Sequence, residues 1–198
     1  MPETDLELLL RAARLAGEVA LDHAMRDLQV TEKPGGAGPV TAADLAVNRL
    51  LEDTLRSARP AYGWLSEESP DDPNRLRAPR TFVVDPIDGT RAFIAGKPTW
   101  AHALAVLDRG RPVAGVVALP QLQRVYAAQR GQGATLNGAP ILASPRTALT
   151  GAEVLMTKPT LAPEHWRDGG APQLTPAHRP SLAYRMSLVA QGRFDAML

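Results

Sequence analysis

The 198-residue chain predicts an α+β fold, and three observations carry that prediction. Apolar residues recur at three and four through the first part of the chain, the signature of amphipathic helices. Short β-rich runs separated by Gly, Pro and Asn-Gly turns follow from about residue 62. No internal repeat or low-complexity segment interrupts this order. Helices first, then a mostly antiparallel sheet with interspersed helices, is the pattern of a layered sandwich.

Residues 5–28 predict the first helix, with Leu6, Leu9, Leu10, Ala13, Ala16, Val19 and Ala20 on one stripe. Thr4, three residues before Glu7, predicts a capping box. Pro34, Gly35, Gly36, Gly38 and Pro39 then predict a flexible loop over 31–40 that carries Lys33. Thr41 starts a second helix running to about Arg56, with Leu45, Leu50, Leu51 and Leu55 expected on its buried side and Pro60 closing it. Tyr62–Leu65 is a short strand that empties into Ser66-Glu67-Glu68-Ser69, and residues 70–80 form a surface loop. Phe82–Val84 is a strand, as are Ala101–Leu107 and Val113–Leu119, with a hairpin turn at residues 108–112. Val125–Ala128 is a further strand, Gly131–Gly133 and Asn137-Gly138 are turns, and Glu153–Met156 is another strand. Residues 159–180 resist assignment. Ser181–Ala190 is a helix, and Phe194–Leu198 the start of a strand.

Composition narrows the function classes. With 22 basic and 21 acidic residues the net charge is +1, so bulk electrostatics imply neither a nucleic-acid polymer nor a membrane as partner. Cysteine is absent, which removes disulfides, thiolate metal sites and a Cys nucleophile, and fits a reducing compartment. Met1–Asp5 is acidic, Leu8–Leu10 is too short for a signal core, and no apolar run reaches the ~20 residues of a membrane span. A soluble, cytoplasmic protein is the expectation.

The chemistry concentrates in Asp85-Pro86-Ile87-Asp88-Gly89-Thr90. An apolar strand delivers two carboxylates three positions apart, and Gly89-Thr90 opens a helix. Asp-Pro and Asp-Gly are also ordinary turn dipeptides. Against that reading, unpaired carboxylates at the mouth of a buried strand are costly unless something neutralises them. Glu67 stands at the end of its own strand as Asp85 does, so two adjacent strands would bring Glu67, Asp85 and Asp88 to one sheet edge. Oxygen-only ligands of this kind suit Mg²⁺. Asp44, near a helix start, reads locally as a first-turn acid favoured by the helix dipole. The four histidines lack metal-site spacing, and His102, inside an alternating strand, reads as structural. No nucleophile elbow, Walker loop or dinucleotide fingerprint is present.

These residues resemble the inositol monophosphatase superfamily of Mg²⁺-dependent phosphatases. Asp85–Thr90 is its signature hexapeptide, Glu67–Ser69 is similar to its Glu-Glu-Ser, Thr41–Asp44 to its helix-borne Thr-x-x-Asp, and Asn137-Gly138 and residues 188–192 to later elements. The resemblance implies an αβαβα sandwich and specific roles. Glu67, Asp85 and the Ile87 carbonyl would hold one metal, and Asp85 and Asp88 a second. Asp88, Gly89 and Thr90 would bind the phosphate, and Thr90 backed by Asp44, with Glu67 nearby, would activate water. Two or three Mg²⁺ ions, Li⁺ inhibition and a homodimer are further implications. The family's later Trp-Asp motif, which completes the second metal site, is not reached by Leu198. The expectation is therefore one domain over 1–198 with its C-terminal α/β portion missing, either a truncated product or one whose gap a partner chain covers. Residues 65–68 and 85–94, with Trp100, look most like bacterial 3′(2′),5′-bisphosphate nucleotidases. Inositol-1-monophosphatase, histidinol-phosphatase and a non-catalytic remnant are the alternatives.

Overall fold

A computed structural model describes residues 2–26, 28–167 and 169–198. Helix α1 (Asp5–Ala24) opens with the expected capping box: the Thr4 N–H donates to Glu7 Oε2 at 2.7 Å, and the Glu7 N–H donates to Thr4 Oγ1 at 3.2 Å. The helix stops at Ala24, short of the expected residue 28, because its apolar stripe ends at Ala20 and Met25 lies in solvent; Asp27 falls outside the described residues. The 31–40 loop contains regular structure that its glycines do not announce. It forms a minimal hairpin, β1 (Thr31–Glu32) with β2 (Pro39–Val40), turned by glycines at positive φ.

Helix α2 (Ala42–Ala58) has Thr41 as its N-cap in a second capping box with Asp44. Its buried stripe is Ala43, Asp44, Val47, Asn48, Leu51 and Leu55. Leu45, expected inside, is 42% exposed, one residue off that stripe and so about 100° around the helix. After β3 (Gly63–Ser66) come β4 (Arg80–Asp88), the five-residue α3 (Thr90–Ile94), β5 (Ala101–Asp108), β6 (Arg111–Leu119) and β7 (Arg124–Gln129). Sequence patterning missed β8 (Gly133–Leu136) and β9 (Ala139–Ile141), which are too short and too poor in β-branched residues to announce themselves. The turn between them is the expected Asn137-Gly138, both residues at positive φ as a tight hairpin demands.

These seven strands form one sheet in the order β3-β4-β5-β6-β7-β8-β9, with only the β3–β4 pair parallel. Helices α1 and α2 cover one face, burying Phe82, Val84, Leu104, Val106 and Val116. Gly17 in α1 permits close approach of Pro120, since a Cβ there would sit 3.1 Å from its Cγ. On the other face α4 (Leu182–Ala190) packs against β5 and β6. Beyond it lies a parallel three-stranded sheet, β11 (Leu174–Ala177), β10 (Ala152–Leu155) and β12 (Ala196–Met197), joined to α4 through Leu155, Leu188 and Phe194. Its outer side carries Leu161 and Trp166 on 3₁₀ turns, so among the described residues the order is helix, sheet, helix, sheet, with no outer helix. No described helix is long and apolar enough to cross a membrane.

Candidate active site

The parallel pairing of β3 with β4 decides where the acids go. Ser66 pairs with Val84 and the Glu67 N–H donates to the Val84 carbonyl at 3.2 Å, so both strands end together with Glu67 beside Asp85. Beyond Asp85 the β4–β5 register jumps: Asp85 opposes Ala103 and Asp88 opposes Ala101. This bulge turns the chain into Gly89, whose φ of 94° only glycine adopts at low cost, and α3 begins at Thr90.

Asp44 sits under this corner, 1% exposed. Its Oδ2 accepts the Thr41 N–H at 2.8 Å and hydroxyl at 2.5 Å, and its Oδ1 accepts the Thr90 hydroxyl at 3.3 Å. The same hydroxyl lies 3.1 Å from the Ile87 carbonyl. Burial pushes the Asp44 carboxyl above its ordinary range, and the Thr41 bonds pull it back in part. Asp44 is thus both the first-turn acid that local sequence suggests and the partner of Thr90. Asp85 is pushed up to about 8, first by burial, then by the charges of Glu67 and Asp88. Without a cation at that corner, a further ionised carboxylate beside Glu67 and Asp88 is unfavourable, and Asp85 holds its proton.

Two further side chains meet this corner. The Lys33 ammonium reaches across from the 31–40 hairpin to Glu67 at 2.7 Å and Glu68 at 2.5 Å. Glu68, 8% exposed at its side chain, is raised by burial and drawn back by Lys33. Lys33→Met would strand that buried carboxylate and should cost about 1–3 kcal/mol of stability, read as a lower urea midpoint at unchanged slope. Asn48 was overlooked: its Oδ1 accepts the Ser66 hydroxyl at 2.6 Å and its Nδ2 donates to Ser69 Oγ at 2.9 Å, clamping the Glu67–Glu68 turn to α2. The signal was available, since an amide four residues after Asp44 on a buried stripe needs partners.

Asp88 behaves differently from its expected companions. Its carboxylate accepts the Ser181 hydroxyl and the N–H groups of Leu182 (3.3 Å) and Ala183 (2.7 Å), so it caps α4. The structure therefore brings Glu67 to Asp85 and Thr90 to Asp44 and Ile87, while Asp88 faces the second layer. Among the described residues no three acidic or histidine side chains converge into a ready-made cage. The donor set nevertheless fits a hard cation: all ligands are oxygen, Asp85 lacks a balancing charge, and the ammonium on Glu67 stands where a cation is wanted. An apolar groove of about 480 Å³ between α4 and the open face of the large sheet has Asp85 on its wall, beside Ala103, Ala105 and Met186.

Comparison with known proteins agrees with this layout. The chain is 36% identical over 155 residues to a histidinol-phosphatase of Chlorobaculum parvum, covering 78% of this chain and 59% of that protein. It is 36% identical over 151 residues to an inositol-1-monophosphatase of Rhizobium meliloti, covering 75% and 56%. The chain thus spans less than three fifths of the length of these curated relatives. Among solved structures, the extragenic suppressor protein suhB of Bartonella henselae superposes with a TM-score of 0.83 at 29% identity, covering 96% of this chain and 76% of that one. The profile described as "Inositol monophosphatase family" matches residues 1–198, and the chain belongs to that family.

Proposed function

We propose that this chain carries the catalytic corner of a divalent-metal-dependent phosphomonoesterase acting on a small phosphate ester. The observation that carries the proposal is the parallel β3–β4 pair, which ends with Glu67 beside a buried Asp85 whose ionised form lacks a balancing cation. Glu67, Asp85 and the Ile87 carbonyl would hold one Mg²⁺, and Asp85 with Asp88 a second. These residues would place a cation where it would lower the pKa of a bound water and neutralise charge developing on the phosphoryl group. Gly89 and Thr90 would hold the phosphate through backbone N–H groups. The Thr90 hydroxyl orients the attacking water and passes a proton toward Asp44, whose buried, raised carboxyl suits that acceptance. Thr90→Ala should slow turnover by about 10²–10⁴-fold with Mg²⁺ affinity unchanged, measured as kcat beside a metal titration. An equal rate would remove Thr90 from the proton path.

On the ester, the names of the two curated relatives favour histidinol phosphate and inositol 1-phosphate. Adenosine 3′,5′-bisphosphate is the reading the sequence around Glu67 and Asp85 suggested, and it stands second. Phosphate release from these three esters, with Mg²⁺ and with EDTA, tests both levels. Release in EDTA as fast as in Mg²⁺, or from none of the three, would sink the proposal.

A further inference from the structure

His102 takes no part in the chemistry above, yet it is an odd choice for its place. It is fully buried on β5, on the same face as Trp100 and Leu104. Trp100 lies edge-on to its ring at 5.4 Å, and Phe93 in turn on Trp100 at 5.0 Å. One ring nitrogen, Nε2, has no partner among the described residues. An apolar side chain would fill this space without an orphaned polar atom, so packing alone does not account for an imidazole here.

The other nitrogen does. Nδ1 bonds the Pro86 carbonyl. Because Asp85 opposes Ala103 and Asp88 opposes Ala101, Pro86 and Ile87 together face the single residue His102. This is the point at which the strand slips register, and Pro86 brings no N–H to steady it. A carbonyl only accepts, so the proton sits on Nδ1 and Nε2 is a bare lone pair. Burial lowers the imidazole to about 4, which keeps that neutral form through the physiological range.

We propose that His102 is a positioning residue for the acidic corner: its Nδ1–H ties the Pro86 carbonyl across the bulge and thereby sets the relative aim of Asp85, the Ile87 carbonyl and Asp88. The inference rests on the metal-site proposal above. It does not make His102 a ligand. The bond stands one peptide away from both Asp85 and Ile87, where a shift of the backbone moves both donors at once.

Mn²⁺ binding to the full chain, followed by electron paramagnetic resonance, tests it with three variants. In H102N the amide nitrogen reaches the Nδ1 position, in H102Q it reaches the Nε2 position, and H102V offers no donor. H102V and H102Q should weaken Mn²⁺ binding about 10–100-fold and H102N less than about threefold, independent of their urea midpoints. H102V binding Mn²⁺ as wild type does, or H102Q rescuing as well as H102N, overturns the role. Should the variants fail to fold, ¹⁵N chemical shifts of the wild-type imidazole decide: protonation at Nδ1 supports the tie, and protonation at Nε2 overturns it. A wild-type chain that binds no Mn²⁺ would instead remove the metal site itself, and the role of His102 with it.

Discussion

Asp85→Asn should abolish metal-dependent phosphate release and, in EDTA, raise the melting temperature near pH 8. The two effects share one cause. Asp85 in the metal-free fold is pushed up to about 8 by burial and then by Glu67 and Asp88, whereas an unfolded aspartate titrates near ~3.9. Between those values the folded chain holds a proton that the unfolded chain has lost, so stability falls as pH rises through the window. His102 tilts the other way over part of it. Burial lowers its imidazole to about 4, and an unfolded histidine binds its proton near ~6.5, so its contribution rises with pH up to that point. Below about pH 6.5 the two slopes oppose each other; above it the fall from Asp85 is uncompensated. After discounting for partial solvent screening, the loss between about pH 6.5 and 8 should be about 1–2 kcal/mol, or about 2–8 °C in a chain of this size. Mg²⁺ should flatten the decline, because a bound cation favours the ionised carboxylate. Melting curves in EDTA and in Mg²⁺, for wild type and Asp85→Asn, read all of this. Parallel pH profiles for the two proteins would remove Asp85 as the source.

Asp88→Asn carries the second large effect, and it falls on fold and chemistry together. The sequence reading makes Asp88 a metal and phosphate ligand only. In the fold its carboxylate also accepts three hydrogen bonds from residues 181–183 at the start of α4. An amide lacks the charge that strengthens such bonds, and its NH₂ faces donors instead of acceptors. The substitution should therefore cost about 1–2 kcal/mol, as loss of a helix cap does, besides lowering metal-dependent turnover by more than about 100-fold. Ser181→Ala is the control: it deletes one donor, leaves the carboxylate, and should lose about 1 kcal/mol with turnover largely retained. An unchanged urea midpoint for Asp88→Asn would show that α4 does not depend on this anchor.

Much of this was legible because it is local. Thr4 with Glu7 and Asn137-Gly138 each announce a cap or turn within four residues, and each forms, and Thr41 announces the start of α2. Glu67 beside Asp85 was legible for a different reason: apolar runs that end in acids suggest neighbouring strand ends, and the parallel β3–β4 pair supplies them. What escaped is what depends on partners far along the chain. Nothing near Asp88 points to Ser181, and nothing near Lys33 says which glutamates it will meet, 34 and 35 residues on. Leu45 misled because a leucine on a helix counts toward a buried stripe until the neighbouring sheet fixes the angle. His102 reads as structural because strand alternation cannot reveal a bulge on the facing strand.

The bonds from Asp88 to residues 181, 182 and 183 close loops of 93, 94 and 95 residues. Contacts that distant form after the local ones, since the chain entropy of the whole loop is surrendered before any return comes from the contact. During refolding, the capping boxes of α1 and α2 and the hairpins of the large sheet should be in place first. The acidic corner would be fastened to α4 in the closing step. A refolding experiment in which amide protection of Ala183 lags that of Val84 and Leu104 would display this order directly.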